Sequence, residues 1–297
     1  MFFPKPYPDE LLGSLLIRSS RRLGLSLRTM VQFAGLVPPE YPSFIVPGNL
    51  SRIADYTATP AAELLEKHTL FAFVCLTYDS SEIAILRCAA IHGDGIQSSS
   101  AYRAQFTNRS RRVSFRRYCS ACAAEDERVF GEAYWHRMHA VPGVLTCPEH
   151  NSRLLETSAY LLDGLRNETV FLPNETCASR PWFYASKPVL RLLSVLASDA
   201  LKLEPGSWRD CADAYVAALR AAGYEDLRDR ETRRRLIIDC KEFFDARFLD
   251  AFDLSLAQPA ATTWLMRVTS GERLHRQSTL SHLFLRCFLE AAKTLPS

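Results

Sequence analysis

The sequence predicts a mainly α-helical protein with a small ribbon of cysteines and histidines near its centre. Three observations predict it. Apolar residues recur at three- and four-residue intervals through the first hundred positions and again from residue 187 onward. Strand-like stretches are few. And the segment "RYCSACAAEDERVFGEAYWHRMHAVPGVLTCPEH", from Arg117, holds two short knuckles, Cys119-x2-Cys122 and Cys147-x2-His150.

Taken in order, a proline-rich lead-in precedes "DELLGSLLIRSSRRLGL". This reads as a helix with Asp9 as its cap and with Leu11, Leu12, Leu15, Leu16 and the stem of Arg18 on one apolar side. Gly24 breaks it. Ser26 caps a second helix, "SLRTMVQFAGL". Helix, short glycine-containing turn and helix outline a helix-turn-helix. If the second helix reads DNA, it exposes Arg28, Thr29 and Gln32, with Met30, Val31 and Phe33 toward the core. Arg28 suits guanine and Gln32 suits adenine. A second such outline is "NLSRIADYT" with "PAAELLEKHTL", Pro60 standing in the first turn. Paired amphipathic helices occur in any helical protein, so neither outline alone establishes DNA binding.

"FAFVCLTYDSSEIAILRCAAIHG" is apolar without a decisive period. "AYRAQFTNRSRRVSFRRY" then carries six arginines, Arg103, Arg109, Arg111, Arg112, Arg116 and Arg117, and no acid. Such an arm suits phosphate contacts, each of which releases counterions and adds affinity; a solvated charged loop is the plainer reading. A strand pair is expected around "LLETSAY" and "ETVFLP". The rest is helical, including "RRRLIIDCKEFFDARFLDAF" and a final helix with Ser278 as its cap. Three regions result: a helical domain over 1–100, a core with the basic arm over 101–185, and a helical domain over 186–297.

The chain has 297 residues, 47% of them apolar and 23% charged, with a formal charge of +3. That is ordinary globular composition, not a polycation. Thirty of the 36 basic residues are arginine, a bias that suits bidentate phosphate and base contacts and also follows from GC-rich codons. No apolar run is long enough to span a membrane, and "MFFPKPYPDE" lacks the plan of a secretory signal. A cytoplasmic location with reduced thiols is expected. Of nine cysteines, Cys75, Cys88, Cys211, Cys240 and Cys287 lie in apolar or amphipathic runs and read as buried hydrophobes. Cys177 has no assignment.

The knuckles admit three readings: a redox pair, a catalytic metal centre or a structural zinc site. Cys119, Cys122, Cys147 and His150 supply three thiolates and one imidazole, a Cys3His set for tetrahedral zinc. A redox pair opens a helix in a thioredoxin-like unit, which the pattern does not suggest. A catalytic zinc needs an open position, and this set fills all four. His136 and His139 could replace a ligand or form a second site; the preferred reading is that, with Tyr134 and Trp135, they pack the lobe or face a partner. Phosphate-loop, dinucleotide and HExxH patterns are absent from the sequence, so binding is expected rather than catalysis. The fold class is thus mainly α with a small zinc ribbon, holding one structural Zn2+.

The opening "FPKPYPDELLGSLLIR", the segment "LLEKHTLFAFV" and above all the knuckle segment resemble the TniQ/TnsD family of target selectors of DNA transposons, including CRISPR-associated ones. The segments "RRLIIDCKEFFDARFLDAF" and "TWLMRV…LSHLFLRCFL" resemble TnsD-type helices more weakly. The resemblance implies helix-turn-helix units flanking a Cys3His zinc-binding lobe, with zinc ligation on Cys119, Cys122, Cys147 and His150. It implies no nuclease activity in this chain, and with no catalytic motif found the protein is expected not to be an enzyme. It implies binding to double-stranded attachment-site DNA or to an RNA-guided CRISPR effector complex, and recruitment of a TnsC-like AAA+ ATPase that brings the transposase. TnsD proteins usually run longer than this chain, whereas some TniQ proteins are shorter. Two other functions fit the same parts: a zinc-containing, sequence-specific transcription regulator, and a metal-dependent hydrolase using His136 and His139.

Overall fold

The computed structural model describes residues 3–36, 48–93, 115–161, 170–179, 185–257, 263–270 and 278–294. These are mainly helical, with one two-stranded sheet. Among them no helix is long and apolar enough to cross a membrane.

Helix α1 (Leu12–Arg22) is the centre of the N-terminal part. Every residue from Leu12 to Ser20 is buried, so it is wrapped all round rather than lying on a core by one side. Its polar residues are satisfied from within: Ser19 and Ser20 donate to the Leu15 and Ile17 carbonyls, and Ser14 accepts from the Trp135 N–H. Asp9 does not cap it. Leu11 holds that position without a side-chain bond, and Asp9, at φ 54°, turns its carboxylate away to the Met138 N–H and Arg137 Nε.

Gly24, at φ 63°, reverses the chain into α2 (Leu27–Phe33), which Ser26 caps through the Thr29 N–H. Leu27, Met30, Val31 and Ala34 form the inward row. That row fixes the face, and Phe33 falls outside it at 70% exposure, contrary to the expectation that it packs inward. Next come α3 (Leu50–Thr57) and α4 (Ala61–His68); Pro60 occupies the cap of α4, one place before its first turn.

The ambiguous apolar stretch is helical. It holds α5 (Phe71–Val74), a 3₁₀ turn and α6 (Ser80–His92). Asp79 accepts from the Ser81 and Glu82 N–H groups, and Glu82 reaches back to the Asp79 N–H. This capping box starts the helix where "YDSS" interrupts the apolar run.

The sheet pairs β1 (Phe115–Tyr118) antiparallel with β2 (Leu155–Tyr160). The expected partner of β2, "ETVFLP", is irregular over its described residues, and Glu168 and Thr169 lie outside them. The end of the arginine arm replaces it, because Arg117 stands opposite Glu156 and their side chains pair at 2.8 Å. Helix α7 (Ser120–Phe130) follows β1 and stops at Gly131, φ 82°.

The C-terminal part comprises α8 (Lys187–Ala200), α9 (Ala212–Ala221), α10 (Arg230–Phe244), α11 (Ala246–Ala251), α12 (Trp264–Thr269) and α13 (Thr279–Thr294). Asp245, at φ 67°, splits "RRRLIIDCKEFFDARFLDAF" into two helices and caps the second through the Arg247 N–H. Ser278 accepts from the Ser281 N–H, the expected start of α13. Helices α8 and α13 pack together, and Phe244, Phe248, Phe252 and Phe284 form a ring cluster with centroids 4.9–5.8 Å apart around Phe284. Cys75, Cys240 and Cys287 are buried as expected; Cys88 is exposed on α6 and Cys211 half-buried, so those two are not core residues.

Candidate metal centre

Strand β1 delivers Cys119 to the cap of α7, which places Cys122 in the helix's first turn. The pair therefore does open a helix, the arrangement that would suit a redox pair. What distinguishes it is the second knuckle. A tight turn after Thr146 brings the chain back at Arg153: the Cys147 N–H donates to the Ser152 carbonyl at 2.8 Å, the Asn151 N–H to the Cys147 carbonyl at 2.8 Å, and Asn151 adopts φ 50°. Cys147 and His150 are thereby aimed at the mouth of α7.

The four ligand atoms lie within 4.8 Å of one another. His150 Nδ1 is 3.7 Å from Cys119 Sγ, 3.2 Å from Cys122 Sγ and 3.6 Å from Cys147 Sγ, and the latter two sulfurs are 3.6 Å apart. A tetrahedron with metal–sulfur bonds of about 2.3 Å and a metal–nitrogen bond of about 2.0 Å has edges of about 3.8 Å between sulfurs and about 3.5 Å between sulfur and nitrogen. Donor types and spacing therefore fit a four-coordinate metal ion. Among the described residues no other group of His, Cys, Asp and Glu gathers in this way.

The surroundings support the ligands. The Ser152 hydroxyl lies 3.1 Å from Cys119 Sγ, and the His150 N–H donates to Cys147 Sγ at 3.4 Å. With Nδ1 turned inward, His150 Nε2 faces Glu125 on α7 at 4.0 Å, the outer carboxylate that commonly orients a metal-binding imidazole. Crowding shapes the thiols. Hydrogen bonds from Cys122 and Cys147 favour the thiolate at Cys119, and donating to it pushes Cys122 up and Cys147 to about 11. A cation at the centre would let all three ionise.

His136 and His139 contribute no atom to the set. His136 is pulled down by burial, but its 2.9 Å bond to Asp126 and that carboxylate's charge outweigh this and raise its pKa. It also stacks on Tyr134. His139 is fully buried and is lowered to about 3, first by desolvation and then by His136. Its Nε2 stands 3.9 Å from Cys122 Sγ, behind the ligand.

The lobe is bolted to the N-terminal segment. Glu10 and Arg18 are fully buried and pair at 2.6 Å; Arg18 also reaches Glu132 at 2.8 Å and lies 3.5 Å above the Tyr7 ring. Burial raises Glu10 to about 7 against the pull of Arg18. The Leu11 N–H donates to the Trp135 carbonyl and the Arg137 N–H to the Asp9 carbonyl. Sequence reasoning missed this clamp. It left little local trace, because Glu10 precedes the helix that carries Arg18 and Glu132 lies 114 residues further on.

The expected DNA contacts divide. Arg28 and Gln32 are exposed on α2. Arg103, Arg109, Arg111 and Arg112 lie outside the described residues. Arg116 and Arg117 are buried, a correction to the arm as drawn from sequence. β1 is covered on both faces, so Arg117 pairs with Glu156 and Arg116 lies 5.7 Å from the Phe171 ring centre. These two arginines serve the fold.

The geometry defines a helical protein organised around a Cys3His cluster. The family model for TniQ matches residues 1–154, just over half the chain, including α1, α7 and all four ligand residues. The chain belongs to the TniQ family, whose domain is associated with target selection in transposition. No curated protein matches the chain.

Proposed function

We propose that this protein is a TnsD-like target-site selector: a cytoplasmic, non-enzymatic adaptor that binds double-stranded DNA and recruits a TnsC-like AAA+ ATPase, and so the transposase. The observation that carries the reading is that one family match takes in the N-terminal helices and the complete four-donor cluster together. In this reading the metal is a single zinc held by Cys119, Cys122, Cys147 and His150. It supplies folding energy and fixes the two knuckles; filled positions leave no place for a substrate. Helices α1 and α2 form the reading unit, with Arg28 and Gln32 toward base edges, and Arg103, Arg109, Arg111 and Arg112 contact phosphates. The DNA is an attachment site, or an RNA-guided CRISPR effector complex stands in its place.

DNA footprinting on candidate target sites, with and without the ATPase, tests this. The expected result is a protected site that extends when the ATPase is added, with discrimination at one or two base pairs lost, at about 1–3 kcal/mol each, in Arg28→Ala and Gln32→Ala. Absence of both a footprint and ATPase recruitment would overturn the reading.

A further inference from the structure

The knuckle that presents Cys147 and His150 has an outer side. Asn151, Ser152 and Arg153 form one wall of a groove of about 740 Å³, and the first turns of α8 form the other. The knuckle wall is stiff, since the Ser152 carbonyl is held by the Cys147 N–H. On the α8 wall, Lys187 and Arg191 stand one turn apart, and Pro188, Leu192 and Val195 form an adjoining apolar row. The helix buries Val189, Leu190, Leu193 and Ala197 in the core and packs Leu192 partly against it, which leaves Pro188 and Val195 exposed on the groove side. No Asp or Glu lines the groove, and Arg153, Lys187 and Arg191 pair with no carboxylate among the described residues.

Three cations around an apolar floor ask for a ligand that carries both negative charge and an apolar side chain. A duplex backbone offers phosphates but nothing for Leu192 and Val195 to bury. A peptide segment with carboxylates beside an aliphatic or aromatic residue offers both, in the manner of acidic motifs docking on basic, apolar grooves. We propose that this groove docks a short acidic segment of a partner protein, its carboxylates on Arg153, Lys187 and Arg191 and its apolar anchor against Leu192 and Val195. This deepens the adaptor reading and rests on it for the idea that a partner protein is held at all.

The test is selection of a random twelve-residue peptide display library against the full chain. Enriched peptides are resynthesised with a fluorophore and titrated by anisotropy against the wild type, the Arg153→Glu/Arg191→Glu double variant and Val195→Asp. A 20-base-pair duplex is titrated in parallel, and circular dichroism checks each fold. Lys187→Glu, on an exposed helix position, replaces any variant that fails to fold. The expected result is enrichment of peptides with two or more carboxylates beside Leu, Ile or Phe, and affinity at least about tenfold weaker in the variants. Duplex affinity should be unchanged. The proposal is overturned by a library with no enriched peptide, by enriched peptides lacking acids, or by equal binding to wild type and variants. Loss of duplex affinity in the double variant, with no acidic peptide selected, would reassign the groove to nucleic acid. A wild type that holds acidic peptides but no DNA would defeat the DNA-binding reading and leave the groove standing.

Discussion

The two ends of this chain share one apolar core and differ in what is added to it. The part matched to TniQ adds directional contacts, most of them between residues far apart in sequence: four convergent donor atoms, the Glu10–Arg18–Glu132 chain, and backbone bonds from residues 9–11 to residues 135–137. The C-terminal helices are fixed by apolar packing, with Phe284 at the centre of a cluster of rings. Directional contacts specify positions to fractions of an ångström and fail abruptly when one member is lost. Packing contacts tolerate substitution and fail by degrees.

The largest expected effect breaks the first kind of contact at its strongest point. Cys147→Ser should abolish metal binding and forfeit most of a binding free energy that reaches about 10–16 kcal/mol in small zinc units. The N-terminal part should lose cooperative melting, and elemental analysis should find no zinc in the variant against one zinc in the undamaged wild type. A wild type without zinc would remove the site from the comparison altogether.

Arg18→Met comes next. It removes the cation shared by Glu10 and Glu132 and forces buried Glu10 to stay protonated at pH 7, at a cost of about 3–5 kcal/mol for the broken buried network, read by urea denaturation. Combining it with Glu10→Gln should recover much of the loss; failure to recover would mean Arg18 acts through its contact with the Tyr7 ring instead.

Phe284→Ala should cost a similar or slightly smaller amount, about 3–5 kcal/mol, while zinc content stays at one. If metal content falls with it, the two ends are one cooperative unit and the contrast drawn above is false.

The smallest effect sharpens the comparison by pH. Glu10 is raised in the folded state to about 7 from 4.5, so the folded protein holds a proton that the unfolded chain releases. That contribution is full below pH 4.5 and is lost as pH rises through 7. Stability relative to Glu10→Gln should therefore fall by about 2 kcal/mol between pH 5 and pH 7. A flat difference would show that Arg18 keeps Glu10 ionised throughout.

What was legible in the sequence follows the same divide. The ligand set was readable because knuckle spacing encodes geometry locally: two residues between donors place both on one turn. The Ser26 and Ser278 caps were readable for the same reason. The clamp was not, because Asp9 looks like a helix cap until Met138 and Arg137, more than a hundred residues on, claim its carboxylate. Charge was misleading for Arg116 and Arg117, since a buried arginine is decided by a distant partner such as Glu156 and not by its neighbours in the chain. Asp245 interrupts an apolar pattern that continues across it, so the break between α10 and α11 left no periodic trace.

Helix α7 joins the two directional systems. Its first residue follows Cys119, and Glu132, the partner of Arg18, lies just past its last turn. Eleven residues make a rod of about 16 Å. The rod spans the distance between the four-donor cluster and the buried arginine of α1. A donor set that slackened at one end would tilt the rod and disturb the Arg18–Glu132 pair at the other. The first helix of the chain is in this way linked, through Glu132, to a donor cluster at the far end of α7.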